Sequence, residues 1–141
     1  MGINIDVDYK TVLKPVSLTK FQVVPKLCEN VAMLRIFPSI MANTIKHFLK
    51  APIAGVVLQC YGAVNIPSNR KDILDAITEG TQRGVIMCVT QCTHGGVGAV
   101  YETGKALLKS GAIPGSDLTP EAALAKLAHV LALPNSIEEK R

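Results

Sequence analysis

The sequence predicts an α/β fold: a three-layer domain in which a four-stranded parallel sheet is flanked by helices and preceded by an irregular arm with short edge strands. Two observations carry this prediction. Residues 53–59 and 85–90 are short, nearly continuous apolar runs, which are typical of strands buried on both faces of a parallel sheet. Segments with helical spacing alternate with such runs, and this alternation favours strand–helix–strand units with right-handed crossovers.

The start of the chain differs from the rest. We interpret residues 1–30 as a linker arm between domains and residues 31–141 as the α/β domain. Residues 3–8 alternate between apolar and polar side chains, which is the periodicity of a strand with one polar face. Pro15 and Pro25 then interrupt two short apolar pieces. We expect one or two edge strands in an arm that continues from an upstream segment.

The first strand–helix unit follows the arm. Residues 32–37 are predicted to form a strand that is closed by Pro38. Ser39 has a side chain that can cap a helix, and apolar residues at helical spacing place that helix at about 40–49. The next strand is predicted at residues 53–59.

Two further helices surround the third predicted strand. A helix is predicted at about 70–83, and Gly84 stands where a left-handed residue often ends a helix. The strand at 85–90 follows. A helix near residues 101–110 is again closed by a glycine, Gly111.

The last helix has the clearest start signal in the chain. Residues 112–118 are predicted to form a short edge segment that is broken by glycine and proline. Residues 119–121 then supply a capping hydroxyl, a proline for the first turn and an acid at the positive end of the helix dipole. The helix is predicted over residues 122–133, and Pro134 ends it.

Composition and charge exclude several classes of protein. Hydrophobic residues make up 48% of the chain and charged residues 18%, as in ordinary folded domains. No apolar run reaches the roughly 18–20 residues of a membrane-spanning helix, and the first residues are too polar for a signal peptide. The net charge of +4 comes with scattered lysines and few aromatic residues. We therefore expect a cytoplasmic protein that binds neither nucleic acid nor membrane.

The cysteines and histidines predict no metal or disulfide. The four cysteines form no Cys-x-x-Cys pair and lie mostly in apolar runs, so we expect reduced, buried thiols. His47 and His129 fall on predicted helices without a partner at metal-binding spacing. Glycine-rich phosphate loops and the Gly-x-Ser-x-Gly motif do not occur in the sequence. No cofactor is expected.

The loops after the strands carry the only plausible chemistry. Asn65 closely follows a strand, and its amide can both accept from an ammonium and donate to a carboxylate, which suits amino-acid recognition. The alternative is that Asn65 only braces its own turn. Residues 90–96 form the loop richest in polar groups. Cys92 is better interpreted as a packed or ligand-lining thiol than as a nucleophile activated by His94, since no third group orients that pair.

Five pieces in order along the chain carry a resemblance to a known family. They are residues 34–40, 59–67, 89–92, 101–104 and 115–127. The second reads Gln-Cys-Tyr-Gly-Ala-Val-Asn-Ile-Pro and the third Val-Thr-Gln-Cys. Together they resemble the C-terminal domain of cytosolic type I L-asparaginases, over residues 3–133. The animal members are the most similar, and some of these carry ankyrin repeats and are also described as lysophospholipases.

The resemblance implies a division of labour between two domains. In the family, the nucleophilic threonine and its partners lie in an N-terminal domain with Thr-Gly-Gly-Thr-Ile and Gly-Thr-Asp-Thr motifs, and neither motif occurs here. The chain is therefore expected to be a separated C-terminal half, in which Met1 and Gly2 are either an artificial start or a domain boundary. Its partners would be the N-terminal domain, L-asparagine and further copies in a homo-oligomer. On its own it is expected to have no amidase activity.

The resemblance also implies two roles for residues of this chain. Asn65 matches an asparagine that reaches the substrate in a neighbouring subunit. In bacterial type I enzymes a second, regulatory asparagine is bound between subunits. The matching positions of that allosteric site are Gln59, Thr90, Gln91 and Cys92.

Two departures from the family pattern weigh against asparagine binding. Gln59 stands where the bacterial pattern has arginine, which removes a charged fork for the effector's carboxylate. Val64 stands where the family usually has glycine, so the backbone turn is expected to differ. Two other functions stay open: a stand-alone small-ligand or protein-interaction module, and the related subunit of a tRNA-dependent amidotransferase, which fits the sequence details less well.

Overall fold

The parallel sheet predicted from the sequence is present. A computed structural model describes residues 7–12, 14–62, 65–67, 69–92, 102–135 and 139–140, with the backbone alone for 102–104. Within these residues the sheet has four parallel strands in the order β1-β2-β3-β4. The elements in chain order are β1 (Val31–Arg35), α1 (Ala42–Phe48), β2 (Gly55–Cys60), α2 (Lys71–Arg83), β3 (Val85–Thr90), α3 (Glu102–Lys109), β4 (Ile113–Pro114) and α4 (Pro120–Ala132).

Strand register brings the ends of the strands to one edge. Arg35 pairs with Gln59 across β1 and β2, and Cys60 pairs with Thr90 across β2 and β3. Because the strands are parallel, their carboxyl ends and the loops that follow meet at this edge. The short β4 lies on the other side of β3, where Ile113 pairs with Met87 and Pro114 pairs with Cys88.

Alternating side chains of the strands build a core on each face of the sheet. Val56 and Leu58 face the first core, which is closed by α1, α2 and α3. Val57 and Val89 face the second core, which is closed by α4. Both faces are therefore covered and the domain has three layers, which explains why the strands are almost continuously apolar.

Helix α2 shows how the sequence places a helix on this sheet. Ile73, Ala76 and Ile77 recur at helical spacing and are almost fully buried. Burial of each isoleucine contributes about 1.5–3 kcal/mol. The other face of α2 is charged: Arg83 forms an i,i+4 ion pair with Glu79.

The predicted edge strands of the arm are not found in the described residues. Residues 7–12 and 14–30 contain no strand, and the alternating residues before Val7 lie outside the described part. The apolar side chains of Leu18 and Phe21 are exposed rather than paired across a sheet. A strand needs a neighbour for its backbone groups. The described arm has backbone hydrogen bonds to the domain at its end, where Cys28 N donates to Ala128 O at 2.9 Å and Asn30 O accepts from Ala54 N at 2.7 Å.

Two predicted helix signals are wrong. Ser39 does not cap α1; it has φ +67°, and the residue before the helix is Met41, which makes no side-chain cap. A turn in which Ile40 N donates to Phe37 O delays the helix. Gly84 is not left-handed but extended, with φ −147°. In contrast, Gly111 is left-handed with φ +89°, as expected after α3.

The start of α4 confirms its sequence signals. The hydroxyl of Thr119 accepts a hydrogen bond from Ala122 N at 3.2 Å, and Pro120 occupies the first turn. Thr119 thereby satisfies one of the amide groups that have no partner within the helix.

Candidate functional site

A pocket lies at the carboxyl edge of the sheet, beside the start of α4. Its volume is about 400 Å³ and it is open to solvent. We call it the strand-end pocket. Its lining residues, all in the described part of the chain, are Arg35, Gln59, Thr90, Gln91, Cys92, Asp117, Leu118, Thr119, Pro120 and Glu121. The four residues that the sequence predicts for an effector site are thus brought together here, and the further residues come from β1 and from the β4–α4 connection.

Gln91 is the best-anchored side chain of the pocket. Its Nε2 donates to Ile36 O at 2.6 Å and to Gln59 O at 2.9 Å. Both partners are carbonyl oxygens, which only accept, so they fix which end of the amide is the nitrogen. The Oε1 atom is consequently directed to Arg35, whose Nε donates to it at 3.2 Å. One side chain thus links the ends of β1, β2 and β3.

Arg35 is held at the pocket by this hydrogen bond. It is the last residue of β1 and the register partner of Gln59, so the two side chains lie on the same face of the sheet. Within the described residues no carboxylate lies within ion-pair distance of its guanidinium. Gln59 is half-buried, and its Nε2 lies 3.1 Å from Met33 Sδ.

Thr90 connects the loops that follow β2 and β3. Its buried hydroxyl donates to Gly62 O at 2.6 Å and accepts from Cys92 N at 3.0 Å. Gln91 N also donates to Cys60 O, at 2.9 Å. These bonds place the Cys92 loop beside the loop that leads to Asn65, so both loops lie on one rim of the sheet.

Asn65 is fixed to the end of β2 by main-chain hydrogen bonds. Tyr61 N donates to Asn65 O at 2.8 Å, and Asn65 N donates to Tyr61 O at 2.6 Å. Gly62, with φ +43°, supplies a left-handed residue in this tight loop, and Val64 lies outside the described residues. Asn65 does not line the strand-end pocket as described, so the predicted substrate residue and the predicted effector residues occupy separate places on the rim.

The acidic side of the pocket comes from the segment before α4. Asp117 and Glu121 are exposed and form no ion pair with any described residue. Thr119 uses its hydroxyl in the helix cap. The pocket therefore combines a cation, two carboxylates and two amide side chains, which is a set that recognises small polar molecules.

The thiols have different environments. All four cysteines are free; the predicted burial is found for Cys60 and Cys88, whereas Cys28 is half-buried and Cys92 is exposed. A hydrogen bond with Cys60 and burial together hold the pKa of the Cys88 thiol well above its usual value. His94 lies outside the described residues, so the structure does not describe its pairing with Cys92.

The described residues offer no site for a metal ion. They contain no group of three or more His, Cys, Asp or Glu side chains placed to ligate one. None of their helices combines the length and apolar character that crossing a bilayer requires.

The sequence interpretation missed Arg35, Asp117 and Glu121 as site residues. Arg35 carries a signal in retrospect, because a charged residue ends an otherwise apolar strand. Its position beside Gln59 depends on strand register, which the sequence pattern leaves open. Glu121 was interpreted as part of a helix start and Asp117 as part of a short edge segment, rather than as a pocket wall.

Comparison with known proteins gives relatives over nearly the whole chain. Residues 30–141 match the family model of the glutaminase/asparaginase C-terminal domain. The chain is 47% identical over 132 residues to the L-asparaginase of Dirofilaria immitis and 36% identical over 135 residues to the 60 kDa lysophospholipase of Homo sapiens. These alignments cover 93% and 95% of this chain but 22% and 23% of the relatives, so the chain spans less than a quarter of their length.

Solved structures share the fold. The structure of L-asparaginase I from Vibrio cholerae matches with a TM-score of 0.83 at 32% identity. The match covers 99% of this chain and 42% of the Vibrio cholerae chain. The thermostable L-asparaginase from Thermococcus kodakarensis also matches with a TM-score of 0.83, at 30% identity. This match covers 93% of this chain and 40% of the Thermococcus kodakarensis chain. Sequence and fold agree, and the chain belongs to the glutaminase/asparaginase C-terminal domain family.

Proposed function

We propose that this chain acts as the C-terminal domain of an L-asparaginase, which hydrolyses L-asparagine to L-aspartate and ammonia. The reactive threonine would be supplied by an N-terminal domain. The observation that carries the proposal is the 47% identity to the L-asparaginase of Dirofilaria immitis across 93% of this chain. The TM-score of 0.83 with L-asparaginase I from Vibrio cholerae supports it, because a shared fold gives the strand-end loops the same supporting strands.

Asn65 is proposed to contact the substrate. Its main chain is tied to the end of β2 by the two hydrogen bonds with Tyr61. The loop is tied in turn to β3 by the bond between Thr90 and Gly62. A residue held in this way keeps its position when a second domain closes over it, which lowers the entropic cost of substrate binding.

The strand-end pocket is proposed to be an effector site. Gln59, Thr90, Gln91 and Cys92 line a single cavity of about 400 Å³ that is separate from Asn65. A ligand there would contact the ends of β2 and β3, from which the loop of Asn65 is anchored. Asparagine or a similar small polar molecule is therefore the effector class that we propose.

The chain is further proposed to pair with its N-terminal domain and with other copies in the cytoplasm. The arm exposes a series of large apolar side chains, which is the usual property of a surface that is covered in an assembly. They include Tyr9, Val16, Leu18, Phe21 and Val23. Sedimentation of the purified chain tests the pairing with other copies. Self-association supports a homo-oligomer, and a monomer at high concentration contradicts it.

A chimera tests the proposed activity. The chain replaces the segment that it matches in the Dirofilaria immitis L-asparaginase, and ammonia release from L-asparagine is measured. The chimera is expected to hydrolyse asparagine, and the chain alone is expected to release no ammonia above buffer. Turnover by the chain alone, or a folded chimera without turnover, would contradict the proposal.

A pair of variants in the chimera tests the role of Asn65. Asn65→Ala is expected to lower kcat/KM at least tenfold, because a hydrogen bond to a charged substrate group is lost. The matched control is Asn30→Ala, at an exposed position directly before β1 and therefore at the opposite, amino edge of the sheet. Equal activity of the two variants would show that Asn65 does not touch the substrate.

The amidotransferase alternative predicts a different outcome. The chain is 38% identical over 118 residues to a subunit of the Glutamyl-tRNA(Gln) amidotransferase of Pyrococcus horikoshii, and the alignment covers 82% of this chain and 26% of that protein. The asparaginase relative is more similar and covers more of the chain. A chimera that releases ammonia from free asparagine only when a charged tRNA is present would favour the amidotransferase function.

A further inference from the structure

We propose that Tyr61 is a positioning residue for Asn65, and that its ring, rather than its hydroxyl, performs this role. The role rests on the proposed amidase function, in which Asn65 contacts the substrate. It adds to that function the side chain through which the fold holds the contact in place. Tyr61 was given no role from the sequence.

The main-chain link between Tyr61 and Asn65 is too small to hold the loop by itself. It consists of two hydrogen bonds, at 2.8 and 2.6 Å, that form an isolated antiparallel bridge outside the four strands. Each such bond contributes little net stability, because water competes for the same groups when the loop opens. A short loop held in this way opens locally unless side chains oppose it. The side chains at the two ends of the loop are therefore the groups to consider.

Both ends of the loop are anchored in the first core. The side chain of Tyr61 is partly buried and packs against this core. Ile66, which directly follows Asn65, belongs to the same core and is 4% exposed. Asn65 thus lies between two side chains that are packed into one apolar cluster. Removal of either anchor would leave a cavity toward which the loop can relax.

The hydroxyl of Tyr61 allows the ring and a hydrogen bond to be tested separately. Its oxygen is buried and has no hydrogen-bond partner in the part of the chain that the structure describes. A buried hydroxyl without a partner opposes folding, because its bonds to water are lost and not replaced. Phenylalanine at this position would therefore keep the anchor, whereas alanine would remove it.

Activity of the chimera tests the role of the ring. Tyr61→Ala is expected to lower kcat/KM for L-asparagine about 10- to 100-fold, because a displacement of about 1 Å in a substrate-positioning group has effects of that size. Tyr61→Phe is expected to stay within about twofold of the unmodified chimera. The matched control is Ile53→Ala, since Ile53 packs against the same core just before β2, at the opposite edge of the sheet. A loss in Tyr61→Phe or in Ile53→Ala as large as that in Tyr61→Ala would overturn the proposal.

A double-mutant cycle tests whether Tyr61 acts through Asn65. In the Asn65→Ala background, Tyr61→Ala is expected to lower kcat/KM by no more than about twofold, because the contact that it positions is already absent. A merely structural role would instead lower kcat/KM by the same factor in both backgrounds. Equal factors in the two backgrounds would overturn the proposal.

Hydrogen exchange in the 141-residue chain separates this inference from the proposed function. The amide of Asn65, which donates to Tyr61 O, is expected to exchange at least about tenfold faster in Tyr61→Ala than in the unmodified chain or in Tyr61→Phe. An unchanged rate would overturn the proposal even if the chimera is active. A chimera without turnover would contradict the proposed function, and the exchange measurement would still decide whether the ring anchors the loop.

A second substitution covers the case in which the alanine variant does not fold. Circular dichroism and thermal melting identify that case. Tyr61→Leu then takes the place of Tyr61→Ala, because leucine keeps an apolar side chain in the core but fills less of the space of the ring. The same changes are expected to a smaller extent, and exchange and activity equal to those of Tyr61→Phe would overturn the proposal.

Discussion

The hydroxyl of Thr90, at the end of β3, donates a 2.6 Å hydrogen bond to the carbonyl oxygen of Gly62 in the loop after β2. The same hydroxyl accepts from Cys92 N at 3.0 Å. One buried oxygen therefore sets the relative position of two loops. It relates the proposed substrate residue, Asn65, to the proposed effector pocket, and this connection is where an effector could influence catalysis.

Replacement of Thr90 tests this connection. Thr90→Val keeps the shape of the side chain but leaves the carbonyl of Gly62 and the amide of Cys92 without this partner. We expect the free energy of unfolding to fall by about 1–3 kcal/mol, since buried polar groups lose their hydrogen bonds. Thr90→Ser is the control, because it retains the hydroxyl. Urea denaturation of the three proteins gives the comparison, and equal stability of the valine variant and the wild type would contradict it.

Gly84 provides a test of a position that the sequence misassigned. A Cβ at Gly84 would lie 2.6 Å from the carbonyl oxygen of Ala54, and that carbonyl accepts a hydrogen bond from Val85 N at 3.0 Å. A backbone atom cannot move aside as the end of a side chain does. Gly84→Ala is therefore expected to separate the starts of β2 and β3 and to cost at least as much as an overpacked core, about 1–3 kcal/mol.

The control for Gly84 is Gly62→Ala. A Cβ at Gly62 meets no atom of the described residues within 4 Å, so among these the opposition to the substitution comes from its φ of +43°. That strain costs about 1–2 kcal/mol. Asparagine discriminates further, because it tolerates left-handed backbone: Gly62→Asn is expected to be milder than Gly62→Ala, whereas Gly84→Asn is expected to be as harmful as Gly84→Ala. Thermal melting of the four variants gives this order, and a tolerated Gly84→Asn would contradict the steric explanation.

The sequence predicted the strands better than the turns between them. β3 is observed at Val85–Thr90, as predicted, because a strand buried on both faces must be apolar throughout. Gly84 and Ser39 were misassigned because their conformations depend on neighbours distant in sequence or on a local turn. In the case of Gly84, the neighbour is Ala54 beside the adjacent strand. Local composition carries no information about such a contact.

The site was predictable to a similar extent. Gln59 and Thr90 were assigned from the family resemblance, and both line one pocket because parallel strands bring their carboxyl ends to the same edge of the sheet. Arg35 was missed because its place beside Gln59 depends on the register of β1 against β2. Arg35 on β1 thus supplies a positive charge beside the uncharged Gln59 on β2, and this proximity follows from the pairing of the two strands rather than from the sequence pattern.

The cap of α4 gives a prediction about stability near the pocket. Thr119→Ala removes the acceptor for Ala122 N and is expected to destabilise the domain by about 0.5–2 kcal/mol. Thr119→Ser retains the hydroxyl and is expected to behave nearly as the wild type. Amide hydrogen exchange in the first turn of α4 is expected to accelerate in the alanine variant, and unchanged exchange there would contradict the capping role.

The cysteines are expected to react with an alkylating reagent in the order of their exposure. Cys92 is exposed, Cys28 is half-buried, and Cys60 and Cys88 are buried in the first core. The thiolate is the reactive form, and the raised pKa of Cys88 further suppresses it. Mass spectrometry after brief treatment at pH 8 is expected to find Cys92 modified first and Cys88 last. Early modification of Cys88 in the folded protein would contradict the burial of that strand.

The pKa of Cys88 also predicts how stability depends on pH. The native state favours the neutral thiol, because the hydrogen bond with Cys60 and burial raise the pKa of Cys88 above its value in the unfolded chain. This contribution is fully present below the unfolded pKa of about 8.5. It is lost as the pH rises through the higher pKa of the folded state, because the unfolded state releases the proton first. Urea midpoints of the wild type are therefore expected to fall above about pH 8.5.

Other groups titrate in this range, so Cys88→Ala is the comparison. This variant is expected to be less stable than the wild type at pH 7 but to lose less stability between pH 7 and 10. Parallel pH profiles of the two proteins would show that Cys88 contributes nothing to the alkaline loss.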